Sequence, residues 1–123
     1  MSKYRAKIVV ADGLRFHSQG EYARWLELRI LEAAGKIKAL KRQVSYALRI
    51  AGHPLLIRSD RYPNGRGCRY VADFEYVEDG IRIVEDYKGF DTSEARLRRA
   101  VFEATTGLRI RITGPAAQRT RAA

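Results

Sequence analysis

Cysteine occurs once in the 123 residues, at Cys68, and methionine and tryptophan also occur once each. A single thiol excludes an internal disulfide and a cysteine-rich zinc module, and it suits a reducing cytoplasm. Long apolar runs are missing as well. No stretch approaches the roughly 20 apolar residues of a membrane span, and the short run from Ile8 to Ala11 is too brief for a signal-peptide core. The expectation is therefore a cytoplasmic protein with no membrane partner. Histidine is scarce: His17 and His53 lie far apart without metal-ligand spacing and read as surface or loop residues. The length allows one domain, expected over residues 1–113, with a basic tail over 114–123 expected to be disordered.

Acidic residues are few beside the basic ones. Lys plus Arg number 24 against 14 Asp plus Glu, a net charge of +10, and arginine outnumbers lysine heavily. Such an excess favours polyanions through Coulomb attraction and counterion release, and arginine's planar fork suits phosphate oxygens. The charge is spread along the chain rather than gathered on one long helix, which argues against a basic amphipathic membrane binder. A basic solvated surface is the plainer alternative.

Lys7 to Val10 can form a short strand before an Asp12-Gly13 turn. Ser18 reads as an N-cap and Glu21, three positions on, completes a capping box. Trp25, Leu28 and Leu31, with Leu26, Ile30 and Ala33, recur at helical spacing up to Gly35. Val44, Tyr46 and Leu48 alternate as in a strand, and the Gly- and Pro-containing stretch from Ala51 to Gly67 reads as loops, with an edge strand at Leu55 to Ile57. Cys68 to Tyr76 and Ile81 to Lys88 are two β-rich runs joined by Glu78-Asp79-Gly80, a hairpin signal. Asp91 or Thr92 can cap a second helix, with Leu97, Val101 and Phe102 on one side and Arg96, Arg98 and Arg99 elsewhere, ending at Gly107. Leu108 to Thr113 alternates as an amphipathic strand. The order is helix, three strands, helix, strand.

Residues two apart share a strand face. Val71, Asp73 and Glu75 are thus expected on one face and Ala72, Phe74 and Tyr76 on the other. On the next strand Val84, Asp86 and Lys88 share a face. If the Asp-Gly turn pairs the strands, Asp73 approaches Asp86, with Lys88 two residues beyond. Two carboxylates held together repel unless a cation neutralises them. A hard divalent ion such as magnesium does so through oxygen ligands, supplying Lewis acidity and an acidified water. A reaction at a phosphodiester uses all these parts. Surface ion pairs are the ordinary alternative, but the apolar surroundings of both strands place these charges in the sheet's interior, where lone charges are costly.

The stretch YVADFEYVEDGIRIVEDYKG resembles the signature of the PD-(D/E)xK nuclease superfamily, with Asp73 as the first acid and Asp86-Tyr87-Lys88 as the acid-x-Lys triplet. Ala72 stands where the superfamily's name has proline. Within the superfamily the chain is most similar to a small phage-associated family of unknown function, numbered 1064. The resemblance rests on Ser18-Gln19-Gly20-Glu21, Gly35, Gln43, Tyr70-Val71-Ala72-Asp73-Phe74 and Glu85-Asp86-Tyr87-Lys88-Gly89, and it runs from about Phe16 to Ile112.

The resemblance implies an α/β (α+β) restriction-endonuclease-like αβββαβ core, its central mixed sheet flanked by helices. It further implies that Asp73, Asp86 and the Tyr87 backbone carbonyl bind Mg2+, with Mn2+ able to substitute, and that Lys88 positions water. Glu21 would join as a helix acid, or serve only as a cap. Glu75 is a secondary ligand or a rim ion pair, and Gln43 reaches the site or is a plain strand polar residue. Glu85 should face away into structural ion pairs. Arg58, Arg61, Arg66, Arg69, Arg96, Arg98 and Arg99 are the phosphate-contact candidates. The expected function is Mg-dependent DNA endonuclease activity, with branched DNA of the Holliday-junction kind as one expected substrate, in a bacterial host cytoplasm if phage-encoded. The alternative is a non-catalytic nucleic-acid-binding accessory or inhibitor on the same fold. A homodimer would supply two active sites, and Trp25 with the outer side of the first helix is a conceivable interface.

Overall fold

Two Asp-Gly pairs set two hairpins. In the structure, a computed structural model describing residues 7–117, Asp12 and Gly13 take φ of 53° and 76° and join β1 (Val9–Ala11) to β2 (Leu14–Phe16). Successive positive φ values are those of a type I′ turn, whose twist matches paired strands. Ser18 caps α1 (Gln19–Ala33), its Oγ accepting from the Glu21 amide at 3.1 Å. After β3 (Lys38–Ala47), the basic connection forms two minimal ladders. In these, β4 (Arg49–Ile50) pairs with β5 (His53–Pro54), and β6 (Leu56–Ile57) with β7 (Arg66–Gly67). The second hairpin joins β8 (Arg69–Glu78) to β9 (Ile81–Tyr87) through Asp79 and Gly80, again both at positive φ. Thr92 caps α2 (Ser93–Thr106), Gly107 ends it in the left-handed conformation, and β10 (Ile110–Thr113) follows.

The central sheet runs β10-β9-β8-β3, with β10 parallel to β9 and the other neighbours antiparallel. Apart from the small hairpins, this is the αβββαβ order and mixed α+β sheet of a restriction-endonuclease-like core. No helix among the described residues is long and apolar enough to cross a membrane. Ile83 packs in a cluster with Leu28 of α1, and its neighbour Val84 packs in a cluster with Phe102 of α2. Adjacent strand residues point to opposite faces, so the helices cover opposite sides of the sheet.

Four expectations need correction. The simple alternation along β8 fails: Tyr70 and Ala72 pack with Phe102, whereas Phe74 and Tyr76 pack with Leu28, although all four are two apart. The break falls at Asp73, and level with it on β3 Gln43 takes φ of 52°, a left-handed conformation that a non-glycine residue adopts only at a cost. On α2, Leu97 is 67% exposed and the inward side carries Arg99 and Phe102, because Arg99 reaches back to Asp91. The chain beyond Thr113 stays ordered through Ala117: the Ala116 amide bonds the Lys88 carbonyl at 3.0 Å and both alanines are buried; residues 118–123 of the expected tail lie outside the described residues. Trp25 is no outer-face residue, since its ring stacks on Phe74 at 6.2 Å.

Two contacts fix α1 against β9. The fully buried Glu85 carboxylate accepts two bonds from Arg24, at 2.8 and 2.9 Å, and further bonds from the Tyr76 hydroxyl and Thr113 Oγ1. Glu85 thus points away from Asp86 into structural pairing, as the alternation requires. The second contact is steric. A Cβ at Gly20 would lie 1.9 Å from the Tyr87 hydroxyl oxygen and 2.3 Å from its Cζ. Helix propensity alone says that Gly20→Ala stabilises by about 1 kcal/mol. The contact with Tyr87 reverses the sign, and a loss of about 1–3 kcal/mol is expected in urea unfolding, partly recovered by adding Tyr87→Leu. A stabilised Gly20→Ala protein would disprove the close approach.

Candidate active site

The β8–β9 ladder ends at the pair Phe74 and Glu85. One step further, Asp73 and Asp86 would face each other, and their side chains take over the bonding. The Asp73 amide donates to Asp86 Oδ1 at 2.9 Å, and the Tyr87 amide donates to Asp73 Oδ2 at 2.9 Å. Each carboxylate therefore occupies the gap where the strands part. Asp86 is also bound by the Tyr70 hydroxyl through Oδ2. Burial and the charge of Asp86 push the Tyr70 hydroxyl above its ordinary range, so it remains a neutral donor.

Glu21 joins from α1. Its buried carboxylate does not complete the capping box on the Ser18 amide; Oε2 accepts from the His17 amide at 3.2 Å instead. The Gln43 side-chain amide then bridges the two acids, donating to Glu21 Oε1 at 3.2 Å and to Asp73 Oδ1 at 3.4 Å. The left-handed backbone of Gln43 accompanies this placement. His17, read from the sequence as a plain surface residue, also faces the site. Its Nδ1 lies 3.3 Å from Glu21 Oε2, and ligand atoms of His17, Glu21 and Asp73 all fall within 4.8 Å of one another. That spacing allows all three to hold one cation.

Lys88 exchanges its backbone groups with the other side of the strand: its amide donates to the Thr113 carbonyl and its carbonyl accepts from the Ala116 amide. Backbone groups of successive strand residues point alternately. The Tyr87 carbonyl is thus directed, like the Tyr87 amide, towards Asp73 and the gap. The Lys88 side chain helps line a cavity of about 270 Å³ with Asp86, Tyr70 and Thr92, and its charge favours the ionised form of Asp73.

The remaining candidates separate. Glu75 pairs with Arg82, the ion-pair alternative rather than a ligand role beside Asp73. Arg99 is bound to Asp91, Arg96 bonds the Asp91 carbonyl and Arg98 pairs with Glu94. Arg99 is therefore structural, a correction explained by its inward position on α2. Among the described residues Arg58, Arg61, Arg66 and Arg69 make no ion pair, and all four are exposed. Tyr70 was legible only as one letter of the Tyr-x-Ala-Asp-Phe motif, and its bond to Asp86 gives that letter a physical role.

Residues 1–113 match a family described as "Protein of unknown function (DUF1064)". The chain belongs to this family. No match was found among curated proteins or among solved structures. The match spans every site residue from His17 to Lys88, and the family's description assigns no activity, so the chemistry is argued from the side chains.

Asp73 shows what the arrangement costs without a cation. Burial, then repulsion from Asp86 and Glu21, raise its carboxyl from 3.8 to about 7, against the opposing Tyr87 hydrogen bond and Lys88 charge. Between these pH values the folded chain binds more protons than the unfolded one, so stability contributed by this group falls as pH rises towards 7 and is level above it. In EDTA, the wild-type protein should lose up to a few kcal/mol between pH 4 and pH 7 that Asp73→Asn does not lose. Parallel Tm profiles for the two proteins would show that the carboxyl is not raised.

Proposed function

We propose that this protein is a metal-dependent endonuclease of the PD-(D/E)xK kind that hydrolyses DNA phosphodiester bonds. The observation that carries this reading is the capture of the Asp73 amide by Asp86 and of the Tyr87 amide by Asp73 at the split of β8 and β9. It gathers two carboxylates in one gap, with Glu21 linked to Asp73 through Gln43 and Lys88 lining a cavity with Asp86. Structural ion pairing does not account for this, because the two acids are bound to amides and to a tyrosine rather than to arginines.

The residues fit a hard divalent cation. Asp73 is held partly protonated near neutral pH by burial and by neighbouring negative charge, the condition that a cation relieves. Each carboxylate oxygen accepts one bond from the protein and keeps a second lone pair. Asp73, Asp86 and the Tyr87 carbonyl would hold the ion, with Glu21 and His17 at the Asp73 side. When bound, magnesium or manganese supplies Lewis acidity at a phosphoryl oxygen and lowers the pKa of a water. Lys88 would orient that water or stabilise charge on the phosphate, while Tyr70 and Gln43 keep the acids in place. Arg58, Arg61, Arg66 and Arg69 would hold the sugar-phosphate backbone without reading bases. A domain this small has little surface for a sequence-reading module, which favours recognition of DNA shape, including branched DNA; a homodimer would bring two such centres to one junction.

At least one of linear, single-stranded and four-way-junction DNA should be cut in magnesium or manganese and not in EDTA. Asp86→Asn and Lys88→Ala should each lower the rate at least about a hundred-fold with DNA binding nearly unchanged. Manganese should also raise the Tm of the wild-type protein and not that of Asp86→Asn, a readout independent of turnover. Binding without cleavage of any substrate in either metal would overturn the nuclease reading in favour of a non-catalytic DNA-binding protein.

A further inference from the structure

A second cavity, of about 570 Å³, adjoins the one that holds Asp86 and Lys88, and Arg69, Val71 and Arg98 line both. Its size lies within the roughly 300–1,000 Å³ of small-molecule sites. Ile57, Cys68 and the ring of Tyr62 give it apolar walls, and Arg66 joins the two shared arginines to make it basic. Nothing in the hydrolytic chemistry of the Asp73–Asp86 centre uses this space.

Tyr62 sits on a fixed turn. Ser59 and Tyr62 exchange backbone bonds, each 3.1 Å, and the Gly65 amide bonds the Tyr62 carbonyl at 2.9 Å. Gly65, at φ of 98°, is packed so closely that a Cβ would lie 2.7 Å from Leu56 Cβ. The turn therefore presents a held aromatic ring beside a basic cavity. The guanidinium carbons of Arg61 and Arg66 lie 5.6 and 5.5 Å from the ring centroid. At exposed positions such contacts are weaker than stacking of a nucleobase, so a base can displace one arginine, which is then free to meet a phosphate.

From these features we infer that the Tyr62 cavity is a pocket for an unpaired nucleotide of the DNA strand that lies at the Asp86–Lys88 centre. An aromatic face takes the base, and the arginines shared by both cavities take the phosphates between it and the cut. A base inside a duplex reaches a side pocket only after unstacking and unpairing, which disfavours duplex. The substrate class is thus DNA with an unpaired segment next to the cleaved bond: single strands, flaps or the arms of an open branch. This inference rests on the nuclease reading of the neighbouring centre.

The test uses the full chain in EDTA and an oligonucleotide carrying 2-aminopurine, single-stranded or in a blunt duplex. The single strand should bind more tightly, and its fluorescence should be quenched on binding as the base stacks. Tyr62→Ala should abolish the quenching and weaken single-strand binding roughly tenfold with duplex binding unchanged, whereas Tyr62→Phe should behave as wild type. Equal single-strand affinity and quenching in Tyr62→Ala would overturn the pocket, whether or not the protein cuts DNA. Quenching that depends on Tyr62, together with no cleavage in magnesium or manganese, would uphold the pocket and overturn the nuclease reading instead.

Discussion

Two bonds, from the Asp73 amide to the Asp86 carboxylate and from the Tyr87 amide to the Asp73 carboxylate, hold the sheet open where β8 and β9 stop pairing. An unpaired backbone amide inside a protein costs about as much as a lost hydrogen bond, so two strands cannot simply drift apart in the core. Here the side chains replace the missing ladder. The replacement brings both carboxylates into the gap, and the Asp73 carboxyl is raised as a result because burial and the charges of Asp86 and Glu21 outweigh the Tyr87 hydrogen bond and the Lys88 charge. The structural solution for parting the strands and the chemical character of the site are the same feature. A substitution that kept the acids but restored regular pairing would remove the site as surely as losing an acid.

Docking of α1 determines what surrounds that gap. The Arg24–Glu85 pair and the contact of Tyr87 with Gly20 hold the helix to β9 on the face opposite α2. Removing one partner of a buried ion pair costs about 3–5 kcal/mol, mostly by stranding the other, so this attachment is hard to loosen. With the helix so held, its first turn lies over the strand ends. Glu21 reaches Gln43 there, and Gln43 reaches Asp73. Glu85 and Asp86, adjacent in sequence, thus divide the work: one anchors the helix and the other faces the gap.

The sequence was most readable where local chemistry dictates geometry. Asp12-Gly13 and Asp79-Gly80 specified their turns through positive φ, and Ser18 and Thr92 specified their helix starts through their hydroxyls. The approach of Asp73 to Asp86, and the turn of Glu85 to the opposite face, followed from a two-residue period and one hairpin. What escaped depended on how the folded chain brings residues together. Perfect alternation along β8 was wrong because Gln43, thirty positions upstream, takes a left-handed conformation opposite Asp73. Arg99 read as a surface charge because its partner Asp91 lies before the helix cap; His17 is the exposed loop residue that the sequence indicated, and the folded capping turn adds the approach of its Nδ1 to Glu21. Family membership extends the resemblance seen in the motifs, but it adds no chemistry of its own.

Charge is distributed so that the two halves of the proposed task do not cancel. A net charge of +10 attracts a polyanion, yet a cluster of Glu21, Asp73 and Asp86 repels the phosphate that has to approach it. The described ion pairs resolve part of this conflict by spending particular arginines on particular structural acids: Arg24 on Glu85, Arg82 on Glu75, Arg99 on Asp91 and Arg111 on Glu78. The arginines of the connection between β5 and β8 are left for the solvent side, flanking the cavities rather than entering the gap. Arg42 reaches Glu21 at 3.9 Å, and the charge of Lys88 acts on Asp73 but is outweighed by burial and by Asp86. One lysine and one arginine cannot balance three carboxylates. On the proposed reading a divalent ion makes up that deficit, which is why DNA is held by the arginine-lined surface in either case while chemistry at the gap waits on the metal.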